Sequence, residues 1–198
     1  MKRNITIAVT GGFCTGKSLV LGMLGKLGAR IIDVDNIAHK VLGCNSVVFK
    51  KIVEEFGRDI LVDNCIDRQI LAKKVFGNKR KLEKLNSIVH PAVIEEMFNF
   101  LNSFGKNSGV IVVEVPLLFE AKLDKYFDHI IVVRTTKLTQ IKRAIKKWKL
   151  NKIDIVNRIN SQFPLADKVK QADFVIDNNN SKDKTLKQLK DCWKKITK

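Results

Sequence analysis

The sequence predicts an α/β fold with a parallel sheet covered by helices on both faces, and three observations carry that prediction. Short runs rich in β-branched residues alternate with segments of helical periodicity along the 198 residues. The first run opens into a glycine-rich loop that leads directly into a helix. A long stretch of helical character then separates the second apolar run from the third.

Ile5 to Val9 reads as a buried parallel strand. Residues 11–16 form a Gly-rich turn, and Leu19, Met23, Leu24 and Leu27 follow at helical spacing until Gly28 ends the pattern. Ala29 to Ile32 is the second strand, stopping at Asp33. Residues 110–115, residues 129–134 and Phe174 to Ile176 supply the third, the fourth and a short fifth strand. In the stretch between, Pro91 stands where a first-turn proline belongs, with Ile94, Met97, Phe98 and Leu101 behind it at helical spacing. Residues 136–149 form a helix with Leu138, Ile141, Ile145 and Trp148 on one face and Lys142, Arg143, Lys146, Lys147 and Lys149 elsewhere. Ser181 is placed to cap a last helix whose apolar face is Leu186, Leu189, Trp193 and Ile196. The helical block after strand two is expected as an insertion over the carboxyl edge of the sheet, where ligands of such folds bind.

Composition narrows the class. Hydrophobic residues make up 45% of the chain and charged residues 29%, ordinary for a globular protein and unlike a disordered one. Lys and Arg number 37 against 20 Asp and Glu, a net charge of +17. Such an excess suits nucleic acid, an anionic membrane or a phosphate-rich substrate. Here it is spread along the whole chain, as on a solvated lysine-rich surface. The apolar run after Met1, Lys2 and Arg3 is shorter than a secretory core, and the longest apolar stretch, Val110 to Phe119, contains Glu114 and Pro116, so no membrane span is expected. Cys14, Cys44, Cys65 and Cys192 are widely spaced without a CxxC pair, and reduced thiols in a cytoplasmic protein are the expectation.

The string GGFCTGKS at residues 11–18 fits the phosphate-loop pattern G-x-x-x-x-G-K-[ST]. Gly11 and Gly16 let the backbone turn so that successive N–H groups form an anion nest at a helix N-terminus. Lys17 is suited to the β- and γ-phosphates of a nucleotide and the Ser18 hydroxyl to Mg²⁺. The pattern arises by chance in roughly one chain per hundred, and its placement between strand and helix is the context the mechanism requires. A thiol at Cys14, among these N–H dipoles and beside Lys17, is expected to ionise more readily than an ordinary cysteine.

The chain lacks an NKxD string and a DxxG switch, which argues against a GTPase. It offers instead an acid at the end of strand two, in IIDVDNIAHKV. Asp33 there is suited to accept the proton of an attacking hydroxyl. Asp35 is either a second such acid or a helix N-cap. Glu114, ending strand three, is either a Mg²⁺-water ligand or an ordinary strand-end glutamate. The basic helix 136–149 suits a lid, with Arg143 the candidate for stabilising transferring-phosphoryl charge.

The strings TGGFCTGKS, IIDVDNIAHKV, FGRDIL, IDRQILAKKVF, LNSIVHP, VPLLFE and QADFVIDNN follow one another in an order and spacing that resembles the dephospho-coenzyme A kinase family over nearly the whole chain. The resemblance implies transfer of the ATP γ-phosphate to the ribose 3′-hydroxyl of dephospho-CoA, the last step of coenzyme A synthesis, with magnesium. It implies a three-layer P-loop fold: a core of about residues 1–34, 108–139 and 169–198 around a five-stranded parallel sheet, a helical CoA-binding insertion at about 35–107 and a lid at about 140–168. ATP is then expected at Gly11, Gly12, Phe13, Cys14, Thr15, Gly16, Lys17, Ser18 and Leu19. Asp33 matches the family's base and Arg143 its lid arginine, while Arg68, His90, Pro116, Leu117 and Leu118 match positions in or beside the acceptor pocket. His90 reads equally as a helix-entry residue before Pro91. Three positions depart from the family pattern: Cys14 replaces a glycine, Lys147-Trp148 stands for Arg-Asp, and Asn180 replaces a glycine. A monomer or weak homo-oligomer is expected. The alternatives are a nucleoside monophosphate or other small-molecule kinase and, in another class, a nucleic-acid-binding P-loop protein favoured only by the charge.

Overall fold

The computed structural model describes all residues but 1–3, 45, 76–77, 105–108 and 149–150, and for residues 35, 39 and 79 nothing beyond the backbone. β1 (Ile5–Gly11) leads through the glycine-rich loop to α1 (Lys17–Lys26), and β2 (Arg30–Asp33) follows. The helical block comprises α2 (Val34–Val41), α3 (Val47–Phe56), a two-strand hairpin of β3 (Leu61–Val62) and β4 (Cys65–Ile66), α4 (Arg68–Val75) and α5 (Lys79–Ser103). The chain continues with β5 (Val110–Glu114), β6 (His129–Arg134), α6 (Lys137–Trp148), α7 (Lys152–Asn160), α8 (Leu165–Lys170), β7 (Phe174–Asp177) and α9 (Lys182–Ile196). Two compact units result: the described residues of Met1–Ile32 with Lys106–Lys198, and those of Asp33–Gly105.

The expected five-stranded sheet is present, in the order β2-β5-β1-β6-β7. β1 pairs in parallel with both β5 and β6, and β6 with β7. Parallel strands covered on both faces have no polar side to show, and Ile7, Ala8 and Val9 of β1 and Val112 and Val113 of β5 have no exposed surface. On one face Ile7, Val9, Val112, Ile131, Val133 and Ile176 pack against Val20, Leu21 and Leu24 of α1 and Leu189, Cys192 and Ile196 of α9. α1 ends as its sequence suggests, with Gly28 at φ +102 and the Ala29 N–H returning to the Leu24 carbonyl at 3.1 Å. Ser181 caps α9, accepting from the Lys184 N–H at 3.4 Å.

The second unit has its own core. Val48, Ile52 and Phe56 of α3 meet Ile60, Leu71 and Val75, with Leu85, Ile88, Val89 and Ala92 of α5 packed against them. Helix starts follow side-chain chemistry: Ser46 accepts from Phe49 N at 2.9 Å, Asp67 from Ile70 N at 2.9 Å and Asn78 from Lys81 N at 3.1 Å. The β3–β4 hairpin turns through Asp63 and Asn64 at φ +51 and +60, the paired left-handed conformation that a two-residue hairpin loop requires.

Three expectations are corrected here. Pro91 does not open a helix; it lies within the 25-residue α5. The contacts of Leu85, Ile88, Val89 and Ala92 on both sides of it hold the helix through the missing N–H. Of the α6 face that carries Leu138, Ile141, Ile145 and Trp148, Ile141 is half-buried and the other three are exposed by 62, 46 and 44%, while Gln140 and Ala144 are the buried positions. Lys149 of the expected helix lies outside the described residues. Finally, Cys44 and Cys65 are not free thiols. They form a disulfide with Cα atoms 5.2 Å apart, because the hairpin folds back onto the turn between α2 and α3, a proximity that their separation of 21 residues conceals.

Candidate active site

The phosphate loop leaves β1 at Gly11, whose φ of +151 is combined with close packing. A Cβ there would run into the Val133 carbonyl oxygen and stand 2.9 Å from Thr15 Oγ1. Gly16, at φ +96, is the N-cap of α1, and a Cβ on it would meet the Asn178 side-chain amide. Both positions therefore require glycine. Buried Thr15 donates from Oγ1 to the Gly12 carbonyl at 3.0 Å and fixes the turn. Lys17 is the first residue of α1, with Nζ 3.2 Å from the Gly12 carbonyl oxygen, and Ser18 follows it, exposed. Leu19 is half-buried, its N–H bonded to the Gly16 carbonyl at 3.1 Å. The N-terminal end of α1 carries partial positive charge and first-turn N–H groups, so this corner is built for an anion.

A second layer of side chains holds the loop. The Thr15 carbonyl accepts from Asn178 Nδ2 at 2.8 Å and from Arg143 at 3.1 Å, and Arg143 also donates to the Asn178 carbonyl at 2.7 Å. Asn178 is only 2% exposed, and its Oδ1 accepts from Thr185 Oγ1 at 3.1 Å. Arg143 of α6 is thus brought to the phosphate loop as its sequence position suggests, anchored on two backbone carbonyls. The Phe13 N–H donates to Gln162 Oε1 at 2.7 Å. The Phe13 ring stacks on Trp148 with centroids 5.1 Å apart, the Arg158 guanidinium lies 5.9 Å from the centroid of the Phe13 ring, and Lys147 lies over Trp148 at 4.7 Å. The Trp148 departure from the family pattern therefore becomes an aromatic contact with the loop.

Asn178, Arg158 and Gln162 are participants that sequence reasoning missed. Asn178 had a legible signal, a polar residue directly after the last strand of a parallel sheet. Arg158 and Gln162 had none, since one polar residue on an amphipathic helix resembles any other.

Cys14 corrects an expectation. It adopts φ +57, the left-handed region that favours glycine. Its thiol does not ionise readily: burial pushes its pKa up, and the opposing pull of Lys147, Lys17 and Arg143 does not outweigh that.

Pro116, Leu117 and Leu118 follow β5. Pro116 is half-buried, Leu117 is 48% exposed, and Leu118 has no exposed surface, so Leu118 anchors the segment rather than facing a ligand. The Pro116 carbonyl accepts from Thr10 Oγ1 at 3.3 Å and from Lys168 Nζ at 3.2 Å. Glu114 ends β5, in register with Val9.

Asp33, Arg68 and His90 belong to the other unit. Asp33 closes β2 and accepts from Asn36 Nδ2 at 3.2 Å. Asp35 does not cap α2, because that helix starts at Val34 directly off the strand; its side chain lies outside the described residues. Arg68 is exposed at the first position of α4. His90 is half-buried inside α5 rather than at a helix entry, and desolvation lowers its pKa.

A parallel sheet with its phosphate loop at the end of a central strand, braced by an arginine from a later helix, defines the class: this is a P-loop kinase. A family model described as dephospho-CoA kinase matches residues 5–184. A dephospho-CoA kinase of Listeria innocua is 42% identical over 186 residues, 93% of each chain. Among solved structures, TT1252 from Thermus thermophilus superposes with a TM-score of 0.87 at 25% identity over 100% of both chains. Dephospho-CoA kinase from Campylobacter jejuni does so at 0.64 and 29% over 98% of this chain and 97% of that one. The chain belongs to the dephospho-CoA kinase family and is a phosphotransferase.

Proposed function

We propose that the chain transfers the γ-phosphoryl group of ATP to the ribose 3′-hydroxyl of dephospho-CoA, in the cytoplasm, as the last step of coenzyme A synthesis. The single observation that carries this reading is the braced phosphate loop in a chain that matches the family over residues 5–184.

The loop N–H groups and Lys17 bind and orient the phosphates, and Arg143 meets charge that develops on the transferring group. Asp33 accepts the proton of the 3′-hydroxyl as the bond to phosphorus forms and the bond to the ADP oxygen breaks. Arg68, His90, Pro116 and Leu117 contact the acceptor, with Leu118 anchoring the last two from beneath. Residues 35–107 serve as the CoA-binding insertion and residues 140–168 as the lid.

The donor set fits magnesium. Ser18 offers a hard hydroxyl oxygen beside Lys17, and no cluster of three His, Cys, Asp or Glu among the described residues would hold a metal by itself. An ion that retains water and shares phosphate oxygens suits such a site. Bound there by Ser18, Mg²⁺ supplies charge neutralisation to the phosphates.

Protein incubated with Mg-ATP and dephospho-CoA should yield coenzyme A by mass, with AMP and shikimate turned over far more slowly. In the same assay Lys17→Ala should abolish transfer, and Asp33→Asn should lower kcat by about 10²–10⁴-fold while ATP binding persists. Faster turnover of a nucleoside monophosphate would overturn the acceptor assignment, and wild-type kcat in Asp33→Asn the choice of base.

A further inference from the structure

Lys168 of α8 is a lysine with no exposed surface. Its ammonium donates to Glu120 Oε1 at 2.7 Å and to the Pro116 carbonyl oxygen at 3.2 Å. Burying an ammonium sacrifices several kcal/mol of hydration, so it persists only where the charge is paired and bonded. Both partners lie in the segment that carries Leu117, and each has a second tie. The Pro116 carbonyl also accepts from Thr10, the residue before Gly11 of the phosphate loop, at 3.3 Å. Glu120 Oε1 also accepts from the Phe163 N–H at 3.0 Å, and adjacent Gln162 accepts from Phe13 of the loop at 2.7 Å. The bonds therefore close a ring from the phosphate loop through residues 116–120, Lys168 and residues 162–163 back to the loop.

From this ring we propose that Lys168 is a positioning residue for the acceptor. By clamping Pro116 and Glu120 it fixes the turn that presents Leu117, registered on the phosphate loop. A lysine that only filled core volume would be replaceable by an apolar chain of similar length at little cost. The kinetic consequence rests on the reaction proposed above; the structural one does not.

The test uses Lys168→Met and the double variant Lys168→Met with Glu120→Gln. Removing Lys168 alone leaves Glu120 without its counter-charge and destabilises, whereas removing both charges restores much of that loss. Positioning is not restored, because the Pro116 carbonyl keeps its bond to Thr10 but has lost its tie to Lys168. In both variants KM for dephospho-CoA should rise about 10-fold with KM for ATP nearly unchanged. Hydrogen exchange should accelerate at Ala121, Lys122 and Leu123, whose N–H groups close the turn on Leu117, Phe119 and Leu118. If Lys168→Met fails to fold, the double variant gives the reading. A mere folding defect lowers apparent kcat and leaves both KM values in place, and that result would overturn the proposal. So would unchanged exchange at the three amides in a folded variant. Absence of turnover in the unsubstituted protein would sink the proposed reaction instead, and the exchange measurement would then decide the role of Lys168.

Discussion

Cys14 shows two local forces opposing each other at one residue. The nest dipoles and Lys17 favour a thiolate, yet desolvation wins, so fast alkylation at neutral pH is not expected. The backbone is a separate matter. At φ +57 a Cβ carries a conformational cost of about 1–2 kcal/mol. Cys14→Gly removes that cost but loosens the unfolded chain by about 0.4–1 kcal/mol. The net gain should be under about 1.5 kcal/mol, read as a rise in Tm of a few degrees, with kinase activity retained. A lower Tm would mean that the thiol contributes packing that outweighs the strain.

Among elements, α5 teaches most about what a sequence conceals. Pro91 is a helix-start signal by its own chemistry, and only the packing of Leu85, Ile88, Val89 and Ala92 on the α3–α4 core carries the helix past it. His90 pays for that continuity with desolvation. Its folded-state pKa lies below the ordinary 6.5, so beneath that pH the unfolded chain binds a proton that the folded one resists. Stability should be fully present above about pH 6.5 and decline on acidification, and His90→Gln should flatten the decline in denaturant titrations between neutral and mildly acid pH. An equal slope in the variant would place the acid sensitivity elsewhere. The five strands of the main sheet were legible because short apolar runs rich in β-branched residues have few other readings. The two-residue strands β3 and β4 lie in a stretch that reads as helical and are too short to show a period. The phosphate loop was legible because glycine, lysine and serine at fixed spacing encode a backbone shape. The covered face of α6 was not, since its apolar residues suggested burial while Gln140 and Ala144 take the inside.

At the scale of the whole molecule, charge and fold are nearly independent. Most of the +17 lies on exposed lysines, and pairs such as Lys74 with Asp59 and Lys170 with Asp167 sit in solvent, where they contribute little. The pair of Lys168 with Glu120 differs because the lysine is enclosed. No helix among the described residues is long and apolar enough to cross a membrane. Ring closure between distant residues was the least legible property, since sequence order says nothing of which loops meet: Asn178 reaches Thr15 across 163 positions.

The Cys44–Cys65 link makes residues 44–65 a covalent macrocycle. Cleaving one peptide bond inside it opens the backbone without dividing the molecule. Limited proteolysis at the exposed Asp63–Asn64 turn should therefore leave a single band of intact mass on a denaturing gel run without reductant. Dithiothreitol should split that band into two fragments. Two fragments without reductant would show that the sulfurs are unlinked in solution.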